Sequence, residues 1–88
     1  MAFEVELTPE ARRHLNKLSE KVRDVAIATM LGSMSENPRR SGKPLVGQLE
    51  GLWSARRGDF RIVYEIDDET NTIVVLRIQH RADVYRPR

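Results

Sequence analysis

The second half of the chain is patterned for β-structure, and this pattern limits the fold more than any other feature of the sequence. Three segments alternate their side chains with a period of two, at residues 49–56, 60–66 and 72–79. The stretches between them, at 57–59 and 67–71, contain Gly, Asp or Asn and are short enough for hairpin turns. Strands joined by such turns pair antiparallel, so we expect a small antiparallel sheet.

The first half of the chain predicts one strand followed by two helices. Residues 3–7 alternate like the later segments and are expected to add a strand to the sheet. Residues 8–10, Thr-Pro-Glu, combine an N-cap hydroxyl, a proline at the first helical position and an acid in the first turn, which predicts a helix to about Leu18. Ser19 can cap a second helix that continues to about Ser35.

The predicted element order is β-α-α-β-β-β. The fold class is therefore α+β, with a helical hairpin packed on one face of a small, mainly antiparallel sheet. The stretch 37–44, between the second helix and the second strand, is rich in proline, glycine and serine and is expected to be a loop. We expect residues 1–88 to form a single domain, because the chain is short and has neither an internal repeat nor a linker.

Composition excludes or disfavours several classes of protein. The chain has no cysteine, so it can form no disulfide and no thiolate metal site. Its N-terminus lacks the basic and apolar regions of a secretory signal, and no apolar run approaches the ~20 residues of a membrane span. A cytoplasmic protein that does not enter the membrane is therefore expected.

The period of two also divides the side chains of the sheet between two faces. The face toward the helices is expected to be apolar, with Trp53, Ala55, Phe60, Ile62, Tyr64, Ile66, Val74, Leu76 and Ile78. On the opposite face the polar residues are mainly arginines: Arg56, Arg61, Arg77 and Arg81. Aligned guanidinium groups repel one another, so we interpret this face as a binding surface for a polyanion, with phosphate as the natural ligand.

The charges are unevenly distributed, although the net charge is only +2. Residues 36–64 carry six basic side chains against three acidic ones, and residues 77–88 carry four arginines against one aspartate. The compensating acidic residues cluster at 65–69. Arginine outnumbers lysine twelve to three, a bias that favours bidentate contacts with phosphate.

Four stretches of the sequence carry recognisable motifs: GKPL at 42–45, LEGLWSARRGDFRIVY at 49–64, IDD at 66–68 and HRADVY at 80–85. In this order they resemble the RelE toxins of the RelE/ParE superfamily, over nearly the whole chain and most specifically in its second half. The resemblance implies a toxin of a bacterial or archaeal type II toxin–antitoxin system. Such toxins cut messenger RNA in the ribosomal A site, which inhibits translation and arrests growth. A cognate RelB-like antitoxin forms a complex with them and holds them inactive.

The resemblance also implies roles for individual residues. Arg61, Arg81 and Tyr85 match catalytic positions of the family. Arg61 and Arg81 are expected to stabilise the charge that develops on phosphorus, and Tyr85 to stack on a base or take part in proton transfer. Arg56 matches a basic position on the second predicted strand of the family, and Lys43 matches a lysine before that strand. Both are expected to contact RNA phosphate.

Further basic residues are interpreted from charge and position. Arg39 and Arg40 lie in the predicted loop and are interpreted as a solvated face or, alternatively, as contacts to ribosomal RNA. Arg57 is assigned to phosphate binding. Arg77 has Glu65 on the neighbouring strand and is interpreted as a solvated or salt-bridged residue rather than a catalytic one.

The implied reaction is an attack by the RNA 2′-OH on the neighbouring phosphate. The hydroxyl must lose a proton, and the leaving 5′-oxygen must gain one. Four candidates for the base remain open: Lys43, His80, the substrate and the ribosome. The position of His80 at the end of a predicted strand is also typical of a histidine with a structural role. Leu52 and Ser54 stand where the best-studied family members carry lysines. No cluster of His, Asp and Glu has metal-ligand spacing, so neither a metal nor another cofactor is expected.

Two other functions are consistent with the same features. A ParE-like protein of this fold inhibits DNA gyrase by binding and is not a nuclease, and the fold alone does not separate it from a RelE-like one. The second alternative, suggested by Leu52 and Ser54, is a catalytically weak relic that binds RNA or antitoxin. The spacing of Arg81 and Tyr85 after the last strand favours the RelE-like nuclease.

Overall fold

Helices pack on one face of a five-stranded mixed sheet in the computed structural model, which describes residues 2–80. The elements are β1 (Glu4–Leu7), α1 (Pro9–Lys17), α2 (Glu20–Thr29), a π-helical turn (Met30–Met34), α3 (Pro38–Ser41), β2 (Lys43–Pro44), a 3-10 turn (Gly47–Leu49), β3 (Trp53–Arg57), β4 (Phe60–Asp67) and β5 (Thr72–His80). The strand order is β1-β5-β4-β3-β2, with β1 parallel to β5 and the other neighbours antiparallel. The predicted α+β fold class is confirmed.

Both predicted helix starts are confirmed by their capping contacts. The Oγ1 of Thr8 accepts a hydrogen bond from the backbone N–H of Ala11 at 3.1 Å, and the Oγ of Ser19 accepts one from Val22 at 3.4 Å. The second helical stretch extends to the predicted end near Ser35. Its later part, however, is a π-helical turn in place of a regular α-helix.

The prediction of a loop at 37–44 is wrong for most of that stretch. The Oδ1 of Asn37 accepts a hydrogen bond from the backbone N–H of Arg40 at 3.3 Å, and Pro38 occupies the first helical position, so the stretch begins with the short helix α3. β2 then pairs with β3 as an edge strand. Proline is tolerated in β2 because an edge strand leaves one side of its backbone unpaired.

β3 begins at Trp53, later than the predicted start near residue 49. The chain before it turns through Gly47 and Gly51, whose φ angles of 73° and 97° are readily adopted only by glycine. The backbone N–H of Leu45 donates to the backbone oxygen of Leu52 at 2.8 Å and closes this loop. The alternation of side chains before Trp53 therefore belongs to a loop and not to the strand.

A β-bulge in β5 makes part of the predicted face assignment wrong. The register between β4 and β5 shifts after Val63 and leaves Leu76 without a residue opposite it. One extra residue moves the alternation by one position. Val75 is therefore completely buried, whereas Val74 and Leu76, which were predicted to face the helices, are only half-buried. Ile78, on the other side of the bulge, is buried as predicted.

The start of α1 is bound to the bulged part of β5. The backbone N–H of Thr8 donates to the oxygen of Val75, and the Thr8 hydroxyl donates to the oxygen of Leu76, each at 3.0 Å. The Nδ1 of His14 accepts a hydrogen bond from the backbone N–H of Ile78 at 3.1 Å. These contacts satisfy backbone groups of β5 from Val75, the last residue that pairs with β1, onward.

The core lies between the helices and one face of the sheet. Its largest completely buried side chains are Tyr64, Met34, Ile62, Ile73 and Val75. Trp53 packs against this cluster on the face that the alternation predicts, and it is half-buried. Within residues 2–80, none of the helices is both long and apolar enough to cross a membrane.

We expect the substitution Trp53→Ala to lower the free energy of unfolding by about 2–4 kcal/mol, because a half-buried ring that packs against the core is lost. Urea unfolding followed by far-ultraviolet circular dichroism measures the change without using tryptophan fluorescence. The control is Leu31→Ala: Leu31 is 66% exposed, so its truncation should change stability by less than about 0.5 kcal/mol. Equal stability of Trp53→Ala and the wild type would contradict the packing.

Candidate functional site

The face of the sheet opposite the helices carries two neighbouring rows of polar side chains. In one row Arg56 of β3 lies directly opposite Arg61 of β4, and in the next Lys43 of β2 lies opposite Ser54 of β3. Directly opposed residues of antiparallel strands point to the same side, with Cβ atoms about 5 Å apart. The alternation in the sequence predicts the alignment of Arg56 with Arg61, whereas the place of Lys43 depends on β2.

These residues line an open depression of about 520 Å³, which we call the basic groove. Its described lining contains five cationic side chains and no acidic one: Arg40, Lys43, Arg56, Arg57 and Arg61. None of the five forms an ion pair with another residue in the range 2–80. Like charges that lie together create a positive potential, and no acidic side chain of the described lining offsets it, so the groove is suited to bind a polyanion.

Arg57 reaches the groove from a different side of β3 than Arg56. The two are consecutive in the strand, so the side chain of Arg57 starts from the face that carries the helices. Its guanidinium donates to the backbone oxygen of Arg56 at 2.7 Å and to the Oγ of Ser33 at 3.4 Å. These contacts hold Arg57 half-buried beside the π-helical turn, where it still lines the groove.

Arg39 and Arg40 are adjacent in α3, but the structure separates their side chains. Arg40 lines the basic groove. Arg39 does not, because its two terminal nitrogens donate to the carboxylate of Asp68 at 3.1 and 2.6 Å, and this bond holds the pKa of Asp68 below its usual value. Successive residues of a helix point about 100° apart, which directs the two arginines to different sides. Arg39 is therefore not brought together with the other predicted phosphate-binding residues.

Two residues of β5, His80 and Arg77, do not line the groove. His80 pairs with Phe60 at the end of the β4–β5 ladder, so it shares the face of Phe60 and not that of Arg61. Arg77 is exposed, and the bulge separates it from Glu65, with which it forms no ion pair. Within residues 2–80, Arg77 is therefore solvent-exposed and does not form the salt bridge to Glu65.

Of the residues predicted to be catalytic, the structure describes Arg61 alone. Arg81 and Tyr85 lie outside the described residues, and their roles stay predictions. The described groove offers guanidinium groups that can bind phosphate. It also contains the amine of Lys43, which lies opposite Ser54 and is a group that can exchange a proton. Across residues 2–80, no group of three or more His, Asp or Glu side chains is arranged to hold a metal ion.

Two residues outside the predicted site, Tyr64 and Gly42, connect α3 and β2 to the sheet. Tyr64 is completely buried, and its hydroxyl donates to the backbone oxygen of Pro38 at 2.6 Å. A Cβ atom on Gly42 would collide with this hydroxyl and lie 2.7 Å from the backbone oxygen of Ser54. The signal in the sequence is the tyrosine at an apolar position of a strand, since a buried phenol needs a hydrogen-bond partner.

Burial raises the pKa of Tyr64 to about 12, although the positive charge of Arg57 acts in the opposite direction. The folded protein thus favours the neutral phenol more than the unfolded chain does. The resulting stability is fully present below pH 10 and is expected to be lost as the pH rises toward 12. Ultraviolet absorbance of the phenolate measures this titration in the variant Tyr85→Phe, where Tyr64 is the remaining tyrosine. A folded-state midpoint near pH 10 would contradict the prediction.

Comparison with known proteins relates this fold and groove to a family of toxins. Residues 5–85 match the family model described as the ParE toxin of the type II toxin–antitoxin system parDE. The chain is 46% identical over 86 residues to Toxin RelG of Mycobacterium tuberculosis, covering 98% of this chain and 99% of that protein. It is 43% identical over 84 residues to Toxin RelE of the same organism, covering 96% of this chain and 87% of that protein.

Solved structures lead to the same family. A chain of the toxin–antitoxin complex RelBE2 from Mycobacterium tuberculosis matches with a TM-score of 0.90 and 43% identity, over 92% of this chain and 100% of that chain. The isolated RelE toxin of E. coli has the same fold, with a TM-score of 0.74 and 24% identity, over 96% of this chain and 92% of that chain. With a family model that matches from residue 5 to 85 and two RelE-type relatives at 43–46% identity, the chain belongs to the RelE-type toxins of type II toxin–antitoxin systems.

Proposed function

We propose that this toxin is a ribosome-dependent endoribonuclease, which cuts messenger RNA in the ribosomal A site in the cytoplasm and thereby inhibits translation and arrests growth. The observation that carries the proposal is the basic groove, where five cationic side chains lie together without an acidic neighbour among the described lining residues. The phosphates of a nucleic acid are a ligand that neutralises such a set. The similarity to the toxins named RelG and RelE supports the same function.

The arginines are proposed to act on the phosphates of the RNA. We assign Arg61 to the charge that develops on phosphorus when the 2′-OH attacks, because a guanidinium holds two phosphate oxygens in a fixed plane. Arg56, directly opposite Arg61, is assigned to the adjacent phosphate. Arg81 is proposed to share the charge on phosphorus with Arg61, and Tyr85 to stack on a base or transfer a proton. This scheme needs no cofactor.

Lys43 is the proposed proton-transfer group of the groove. A guanidinium is a poor base because it stays protonated, so the lysine amine is the group of the described groove that can exchange a proton. Lys43 of β2 lies opposite Ser54 of β3. Ser54 is one of the two positions at which the best-studied members of the resembled family carry lysines. β2 thus supplies an amine beside a position where β3 has none. His80 lies on the opposite face of the sheet, with Phe60, and this position favours Lys43 over His80 as the proton-transfer group.

The proposed function is tested by cleavage on ribosomes programmed with a defined message. Toeprinting should show a cut within the A-site codon when free toxin is added, and the same RNA without ribosomes should stay intact. The upstream fragment should end in a 2′,3′-cyclic phosphate, the product of 2′-OH attack. Inhibition of DNA gyrase without cleavage would instead favour a ParE-like inhibitor, and the matching family model is named for the ParE toxin. If neither cleavage nor gyrase inhibition is observed, the result would favour a protein that only binds RNA or antitoxin.

We further propose a RelB-like antitoxin as the partner of this toxin, in a complex that covers the arginine face or displaces the C-terminal tail. Several of the similar structures are toxin–antitoxin complexes, among them RelBE2 of Mycobacterium tuberculosis and RelBE of E. coli. An antitoxin segment that folds on binding can wrap an extended surface such as the groove.

The copurified toxin–antitoxin complex is expected not to cut messenger RNA on programmed ribosomes, whereas toxin freed from the complex should cut it. The reason is that the antitoxin occupies the surface that binds RNA phosphates. Adding purified antitoxin back to the freed toxin is the control and should restore inhibition. Equal cleavage by the complex and by the freed toxin would contradict this arrangement.

A further inference from the structure

We propose that Tyr64 and Gly42 are positioning residues that hold Lys43 in the basic groove. The proposal rests on the function proposed above, because it concerns how the groove is assembled for RNA. Lys43 lies on a segment, residues 38–44, that comprises α3, Gly42 and β2. This segment and the β3–β4 hairpin both contribute cationic side chains to the groove. The contacts between the two therefore set the distance between their charges.

The pairing of β2 with β3 is too short to position Lys43 by itself. It consists of Lys43 opposite Ser54 and Pro44 opposite Trp53, followed by the single backbone hydrogen bond from Leu45 to Leu52, and proline has no N–H to donate. A two-residue edge strand is weakly held, and its backbone opens more easily than the interior of the sheet. Other contacts must then fix the segment relative to the hairpin.

The hydroxyl of Tyr64 supplies the first of these contacts. Tyr64 belongs to β4, the strand that also carries Arg61, and its side chain is completely buried. Its hydroxyl donates to the backbone oxygen of Pro38, the first residue of α3, at 2.6 Å. Pro38 is itself buried, so loss of the hydroxyl would leave a carbonyl oxygen without this donor in a site that excludes water. The hydroxyl thus ties the start of the segment to the strand of Arg61.

Gly42 supplies the second contact through close approach. An added Cβ would collide with the Tyr64 hydroxyl and lie 2.7 Å from the backbone oxygen of Ser54, the residue opposite Lys43. The φ angle of Gly42 is −137°, which any residue can adopt. The need for glycine therefore arises from space and not from backbone conformation. Alanine at this position must push the segment, and Lys43 with it, away from β3 and β4.

The effect of both residues on the rate of cleavage should pass mainly through Lys43, because Arg40, the other cationic residue of the segment in the groove, does not exchange a proton. We expect Tyr64→Phe and Gly42→Ala each to lower kcat/KM for cleavage on programmed ribosomes by about tenfold, the scale on which a small misplacement of a reacting group reduces the rate. In the background Lys43→Ala the same two substitutions should each cost about twofold or less, because the group that they position is already absent.

A matched core variant separates positioning from loss of stability. Ile73 is completely buried on β5, away from the segment, and Ile73→Val removes one methylene. This variant should lower the unfolding midpoint while leaving kcat/KM unchanged at temperatures where the protein is folded. Tyr64→Phe and Gly42→Ala must be compared at such temperatures, with folding checked by circular dichroism. If Gly42→Ala does not fold, Tyr64→Phe alone carries the test.

The outcomes distinguish this proposal from the proposed function. Undiminished effects of Tyr64→Phe in the Lys43→Ala background, or no effect in the wild-type background, would overturn the positioning role while the nuclease function stands. If the wild type does not cut RNA on ribosomes, the nuclease function fails. The same cycle is then measured as the Kd for a short single-stranded RNA, and a coupled tenfold change in Kd would support positioning. A wild type that neither cuts nor binds RNA would overturn both.

Discussion

Replacement of Arg61 or Arg81 by alanine is expected to abolish growth arrest and to lower ribosome-dependent cleavage on the order of a hundredfold or more. This is the usual loss when a charged contact to the transition state is removed. Arg61 is exposed and lies on the face of the sheet away from the helices, so Arg61→Ala should leave the fold intact. The measurements are cleavage rates on programmed ribosomes and growth after induction of each variant.

Arg77→Ala is the matched control for the two arginine variants. Arg77 is an exposed arginine that does not line the basic groove and forms no ion pair within residues 2–80, so its loss should have a much smaller effect. If positive charge in general were the cause of activity, the three variants would behave alike. Persistent toxicity of the double variant of Arg61 and Arg81, together with gyrase inhibition, would favour the ParE-like alternative.

Lys43→Ala is expected to lower the rate of cleavage by about a hundredfold, within the usual contribution of a positioned acid or base. Lys43 is exposed in the groove, where it lies opposite Ser54, and its side chain can exchange a proton with the substrate. The rate constant of a single turnover on programmed ribosomes measures the effect. The change should appear in this rate constant even when the toxin saturates the ribosomes.

Lys43→Arg distinguishes proton transfer from simple attraction to phosphate. Arginine keeps the positive charge but does not exchange a proton near neutral pH, so the activity should stay low. Full activity of Lys43→Arg would show that Lys43 contributes charge alone, and the proton would then pass to the substrate or the ribosome. His80→Ala should retain more activity than Lys43→Ala, because His80 does not line the groove. The reverse order would favour His80 as the acid or base.

The parts of the fold that depend on neighbouring residues could be predicted from the sequence. The caps at Thr8 and Ser19 are local, since each side chain bonds to a backbone N–H three residues later. The turns between β3, β4 and β5 are also short-range. The alternation within β3 and β4 then predicts that Arg56 and Arg61 share a face, as the register shows. The cationic face of the site follows from these local signals.

Part of the candidate site could not be predicted, because it depends on pairing between distant segments. The resemblance to RelE toxins pointed to Lys43, but the place of this residue opposite Ser54 depends on a two-residue strand with little signal of its own. Arg39 and Arg40 look equivalent in the sequence, yet Asp68, 29 residues from Arg39, binds one of them and leaves the other in the groove. Charge alone does not reveal which arginine has a partner.

Local signals in the sequence predict the succession of β1, α1, α2, β3, β4 and β5, the starts of α1 and α2, and the alignment of Arg56 with Arg61, since these depend on spacing and on contacts within a few residues. The bulge at Leu76, the start of β3, the pairing of β2 and the contacts of Tyr64 depend on the tertiary structure. The Thr8 hydroxyl bonds to Leu76 across 68 residues, and the Tyr64 hydroxyl bonds to Pro38 across 26. Such contacts form only when the chain folds, and the free energy of burying each polar group with a partner decides between registers that the local pattern leaves open.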